Sequence, residues 1–249
     1  APGRVGVGRG SGGAATAGGH VSVAAVLALA FTLAVYVAAE RLDRRVRSPW
    51  TNPVGVTVGA GILLVALAPL SLPAYARGTA PLVWALRPAV VALGWLAYRQ
   101  RAVLRRWAGP LLVGSFVGSL VSLTLTPLLA RWAGADPLLQ TALALKSVTS
   151  AVGVDLAGRV GAEVALTVPL VIVTGVVGAA FGPPLLRALG VEETAEGIAL
   201  GTNSHGIGTA ALAAEEREAG AALSGLAMAV TAVVSGVLAP VTLALLGLP

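Results

Sequence analysis

The chain has no cysteine, two histidines, one methionine and few charges: only 11% of its 249 residues are Asp, Glu, Lys or Arg. The missing thiols exclude a disulfide framework, thiol catalysis and thiolate metal sites. With His20 and His205 as the only imidazoles, a multi-histidine metal centre is excluded too. A soluble domain carries roughly 25% charged residues, so more than half of the usual solvated surface is missing. That excludes an ordinary water-soluble globule. No GxSxG is present, and Ser204 beside His205 does not by itself make an oriented nucleophile, base and acid. No enzymatic activity, and no cofactor, is expected.

What the chain does have is apolar residues, 56% of the total, with a mean hydropathy of +0.86. Apolar runs near the ~20 residues needed to cross a bilayer recur along it. The fold class expected is all-α: a polytopic integral membrane helix bundle with six to eight transmembrane segments. The net charge of +6 comes from arginines confined to short segments between those runs, which is membrane topology and not a nucleic-acid footprint.

Residues 1–19 are mostly Gly, Ala and Ser and cannot bury enough surface to order themselves, so they read as a flexible tail. The GxGxxG of Gly8, Gly10 and Gly13 has no strand before it or helix after it, and so is no nucleotide site. Residues 20–249 read as one transmembrane domain. Clear apolar spans cover 20–39, 53–76, 81–98, 109–133, 163–186 and 220–247, and Thr51, Asn52 and Pro53 form a helix-capping start. Gly114, Gly118, Gly175 and Gly178 offer small faces for close helix packing.

Two stretches differ. Residues 137–160 and 195–214 are apolar at their ends and polar or small in the middle, which lipid tolerates only where the backbone is buried in protein or lines a watery cavity. Both read as broken helices. Each is followed by a short charged turn and a clean span, and paired interrupted segments of this kind point to an inverted-repeat, transporter-like arrangement around a midplane site. If both stretches cross there are eight spans; if they are re-entrant hairpins there are six. The charges favour crossing, which puts Arg159 and Arg217 inside and Glu192, Glu193 and Glu196 outside. The arginine clusters at 40–47 and 99–107 should face the cytoplasm.

The first interruption holds Lys146, Ser147, Thr149 and Ser150. An ionisable residue at mid-membrane costs at least ~2.5 to 3.5 kcal/mol, so Lys146 needs a partner or a function. It suits a carboxylate, with the hydroxyls donating hydrogen bonds; the structural alternative is snorkelling or pairing with Asp155. Asp155, Arg159 and Glu163 are spaced as a charge-neutralising ladder, against which stands a role for Asp155 in ion or proton coupling. The second interruption holds Thr202, Asn203, Ser204, His205 and Thr209 among Gly201, Gly206 and Gly208. The glycines ask for unwound backbone, and the side chains for a ligand. His205 suits a proton carrier or a carboxylate donor, or else a satisfied buried histidine.

At these interruptions the sequence resembles the LrgB/CidB family. The likeness is carried by NPVGV at 52–56, RPAVVALGWLAYRQ at 87–100, LLVGSFVGSLVSL at 111–123, LKSVTSAVGVDLA at 145–157, TGVVGAAFGPPLL at 174–186 and GIALGTNSHGIGTAAL at 197–212. Leu145 and Ala151 stand where the family reads proline, and Arg87 where it reads glycine. The resemblance implies an antiholin-like protein of the bacterial inner membrane acting on murein hydrolase activity and lysis beside an LrgA/CidA-type partner. Similar proteins include the plastid glycolate/glycerate translocator and carriers linked to pyruvate. It therefore implies transport of small 2-hydroxy or 2-oxo monocarboxylates. Bilayer lipid, such a substrate and a homo-oligomer are the partners expected, with no nucleic acid.

Overall fold

A computed structural model describes residues 23–46, 51–68 and 70–248, with backbone alone at 86, 87, 89, 90, 93, 96 and 97. The expected tail over 1–19, His20, Arg47 and the side chain of Arg87 lie outside the described residues. The described chain is all helix, in the order α1 (Val23–Val46), α2 (Pro53–Leu67), α3 (Leu72–Arg99), α4 (Arg101–Arg106), α5 (Ala108–Trp132), α6 (Pro137–Ala144), α7 (Ser150–Val160), α8 (Val164–Ala188), α9 (Glu193–Ala214) and α10 (Glu218–Leu245). Among them α1, α5, α8 and α10 are long and apolar enough to cross a membrane.

Local chemistry sets the helix starts. Asn52 caps α2 by accepting from the backbone N–H groups of Val54 and Gly55, with Pro53 at the first helical position, as the Thr-Asn-Pro start suggests. Asp136 caps α6 in the same way, ahead of Pro137. The spans expected at 53–76 and 81–98 are divided differently. α2 ends at Leu67, Ala68 turns extended before Pro69, and α3 then runs unbroken through residues 77–80, which the sequence leaves between two spans. A residue before proline is driven from the helical region, which places the break there. Pro81 and Pro88 sit inside α3, a tolerance common to membrane helices.

α1, α2 and α3 pack on one another at the side of a bundle made by α5 to α10. Two contacts establish the direction of its parts. Gly114 and Gly118 of α5 abut Ile198 and Thr202, and Gly197 and Gly201 abut Gly220 and Ser224, so α5, the first arm of α9 and the start of α10 all run in parallel. α8 runs against them, with Gly182, Gly178 and Gly175 facing Leu200, Ser204 and His205.

α9 folds back on itself at His205, whose φ of 41° and ψ of −134° interrupt the helix. A Cβ on Gly208 would lie 3.3 Å from that of Leu200, whereas eight residues of straight helix span about 12 Å. The fold-back brings both ends of α9 together. Glu196, fully buried, accepts from Arg187 at 3.1 Å and Arg217 at 2.6 Å, and Arg187 also binds Glu215. α9 is thus a re-entrant hairpin, entering and leaving at the end of the bundle where α4 lies.

α6 and α7 form the opposite hairpin. α5 delivers the chain to the far end, and α8 starts from that end, so both outer ends of α6 and α7 lie there. Leu145, Val148, Leu156 and Val160 accordingly share one core with Ala239 and Leu243 at the end of α10. A second core, with Leu111, Ile198, Leu223 and Leu226, fills the α4 end. The full crossings favoured by the charges do not form, and Glu192, Glu193 and Glu196 lie at the same end as Arg217. The reason is length: the arms are about 12 to 18 Å long, which brings them near the middle of a ~30 Å hydrocarbon layer and is too short to cross it. The unit hairpin plus crossing helix occurs twice, 137–188 and 193–245, in opposite orientation. The two broken helices and the inverted repeat expected from the sequence are both present.

Candidate functional site

The two hairpin tips meet. Ser147, in the turn between α6 and α7, donates its hydroxyl proton to Asn203 Oδ1 at 3.0 Å. Its oxygen lies 3.1 Å from Lys146 Nζ, which donates to it, and 2.8 Å from Ser122 Oγ of α5. Beside this junction a cavity of about 660 Å³ opens between α5 and the first arm of α9. Its walls include Gly114, Gly118, Ser122 and Thr126 on one side, Ile198, Thr202 and Asn203 on the other, and Lys146.

Lys146 is half-buried and forms no ion pair among the described residues. The alternative partner, Asp155, instead pairs with Arg159 at 2.9 Å on an exposed face, as the ladder reading has it. Thr202 buries its methyl group against Gly118, and its Oγ1 has no hydrogen-bond partner among the described residues. Thr149 caps α7 by accepting from Val152 N–H, and Ser150 opens that helix.

The remaining residues of the second interruption face elsewhere. His205 Nε2 lies 3.1 Å from the carbonyl oxygen of Val171. A carbonyl only accepts, so this nitrogen carries a proton and pins the tip of α9 to α8. Ser204 packs on Gly178, and Thr209 bonds Ser224 of α10 at 2.7 Å as well as the carbonyl of His205 at 3.0 Å. The structure therefore brings Lys146, Ser147, Thr202 and Asn203 together and sets Ser204, His205, Thr209 and Asp155 apart. The unwound backbone falls on His205, next to Gly206. Gly201 and Gly208 stay helical, and their missing side chains let α10 and the other arm of the hairpin approach.

Ser122 and Thr126 are the site residues that sequence reasoning missed. A signal was present: Gly114, Gly118, Ser122 and Thr126 recur every fourth position, the spacing of one helix face.

A helix bundle with two opposed re-entrant hairpins and a lysine-bearing cavity beside their tips defines a polytopic membrane protein. The LrgB-like family model matches residues 32–245, and the chain belongs to that family. It is 29% identical over 224 residues to the holin-like protein CidB of Staphylococcus aureus, covering 90% of this chain and 97% of that one. It is 30% identical over 185 residues to YwbG of Bacillus subtilis, covering 74% and 82%. YxaC of the same organism is 30% identical over 217 residues, covering 87% and 94%. No solved structure matches the chain.

Proposed function

We propose that this chain is a secondary carrier for small 2-hydroxy or 2-oxo monocarboxylates such as glycolate, glycerate, lactate or pyruvate, and not an enzyme. The carrying observation is the meeting of two opposed hairpin tips beside a cavity that holds one unpaired lysine. Opposed discontinuous segments let either side open in turn while the binding groups stay at the middle. Lys146 supplies the charge, and Asn203 reads the oxygen next to the carboxylate. His205 acts on this site through the backbone of the tip, as a positioning group that also offers a titratable nitrogen for proton coupling. We place the chain in a bacterial inner membrane with the α4 end, bearing Arg99, Arg101, Arg105 and Arg106, in the cytoplasm; Arg41, Arg44 and Arg45 close α1, which runs against α3, and do not share that end.

Uptake of labelled glycolate, lactate and pyruvate into proteoliposomes, with and without a pH gradient, tests the reading. Saturable uptake abolished by Lys146→Ala supports it. Uptake unchanged in both Lys146→Ala and His205→Ala sinks the site.

A second reading, an antiholin-like regulator of lysis with an LrgA/CidA-type partner, is favoured by the holin-like name of the Staphylococcus relative. Gly118 and Gly175 pack inside the chain, against Thr202 and His205, so enlarging them damages the protein under either reading. Co-purification of such a partner, with a lysis phenotype that survives Lys146→Ala and Asn203→Ala together, selects the regulator. A homo-oligomer is compatible with both.

A further inference from the structure

We infer that Ser122 of α5 is a positioning residue that fixes the Asn203 amide, turning its NH2 end to the cavity and so favouring a deprotonated carboxylate over its neutral amide. The inference rests on the carrier reading above. Its basis is the proton count at Ser147. A serine hydroxyl has one proton and two lone pairs. The Lys146 ammonium has no lone pair and can only donate to Ser147, so it fills one of them. Ser122 is buried, and its hydroxyl finds no other partner among the described residues. Its proton therefore fills the second lone pair. With both taken, Ser147 has only a proton to offer Asn203, and Asn203 must meet it with its carbonyl oxygen, as observed.

The consequence lies on the other end of the amide. Asn203 is exposed to the cavity, and with Oδ1 engaged its NH2 group is the end left free. Together with the remaining protons of Lys146, it sets two groups of N–H donors side by side at the hairpin tips. A carboxylate, which only accepts, satisfies all of them. An amide of the same shape loses the charge-assisted bonds to Lys146 and sets its own NH2 group against that of Asn203, donor against donor. Without the Ser122 hydroxyl, Ser147 regains a free lone pair. Asn203 can then turn its NH2 group inward and present its oxygen to the ligand, where it repels a carboxylate and suits an amide.

The test measures how well unlabelled glycolate and glycolamide each compete with labelled glycolate entering proteoliposomes. In the wild type, glycolate should compete at least about tenfold better than glycolamide, the scale of one lost charge-assisted hydrogen bond. Ser122→Ala should reduce that ratio severalfold by raising the apparent KM for glycolate, with the maximal rate largely kept, and Ser122→Thr, which restores a hydroxyl, should recover it. Ser122→Cys, close in shape but with a thiol that donates only weakly, should shift the ratio the same way and carries the test should Ser122→Ala not fold. A ratio unchanged by Ser122→Ala, a Ser122→Thr protein that transports with the alanine ratio, or a Ser122→Cys protein with the wild-type ratio each overturns the inference while leaving the carrier intact. Absence of saturable uptake in the wild type overturns the carrier reading itself, and the inference falls with it.

Discussion

Gly201→Ala should loosen the second hairpin, by an amount the packing allows to be worked out. A Cβ placed on Gly201 lies 2.7 Å from both Cα and the carbonyl carbon of Ser224, and closer still to its oxygen, whereas ordinary contact begins at 3.4 Å. These are backbone atoms of α10, so no rotamer change relieves the overlap. The first arm of α9 and α10 must part by the better part of an ångström. Overpacking of this kind costs about 1–3 kcal/mol, and the gain from replacing a helical glycine by alanine returns up to about 1 kcal/mol. A net loss of about 1–2 kcal/mol is expected. Gly236, in the same α10 but with nothing within 4 Å of its would-be Cβ, is the control; there alanine should stabilise by up to about 1 kcal/mol. Unfolding in mixed micelles, followed by tryptophan fluorescence, reads both. The loss should also reach the site, because Asn203 is two residues away and its 3.0 Å bond to Ser147 has little room before it exceeds hydrogen-bonding range. Equal stabilities for Gly201→Ala and Gly236→Ala would refute the parallel seam on which the hairpin geometry rests.

The backbone at His205 makes a second distinction: with φ at 41°, His205→Gly should be more stable than His205→Ala by about 1 kcal/mol, although both lose the bond to Val171, and thermal unfolding in detergent that ranks alanine at or above glycine contradicts the kink. Glu196→Ala leaves the guanidinium groups of Arg187 and Arg217 without their buried carboxylate and should cost about 3 kcal/mol, while Asp155→Ala, which breaks an exposed pair, should cost under about 1 kcal/mol; similar losses from the two would argue against the buried cluster. Since the chain has no native cysteine, Glu192→Cys and Ala214→Cys should react with a membrane-impermeant thiol reagent from one side of the membrane, and Ala133→Cys and Glu163→Cys from the other; labelling of the first two from opposite sides would mean that α9 crosses.

The sequence shows where the helices break more clearly than it shows what the breaks do. Lys146 to Ser150 and Gly201 to Thr209 stand out because lipid admits a run of polar groups only where something else satisfies them, and the structure places both runs at hairpin tips or on hairpin arms. Crossing and folding back, however, leave the same composition. What decides between them is Gly201 and Gly208, which read as helix weakeners in the sequence and act in the fold as contact points, together with Arg187, which holds Glu196 and Glu215 from the two ends of α9. None of these contacts is local, so periodicity cannot reveal them. The same geometry explains why a run of four polar residues does not make a four-residue site. Successive positions on a helix point about 100° apart. Thr202 and Asn203 consequently turn toward α5 and the cavity, and Ser204 and His205 toward the glycines of α8. A hairpin tip needs both faces. One lines the cavity, and the other holds the tip at a depth where Asn203 can reach the serine of its opposite number.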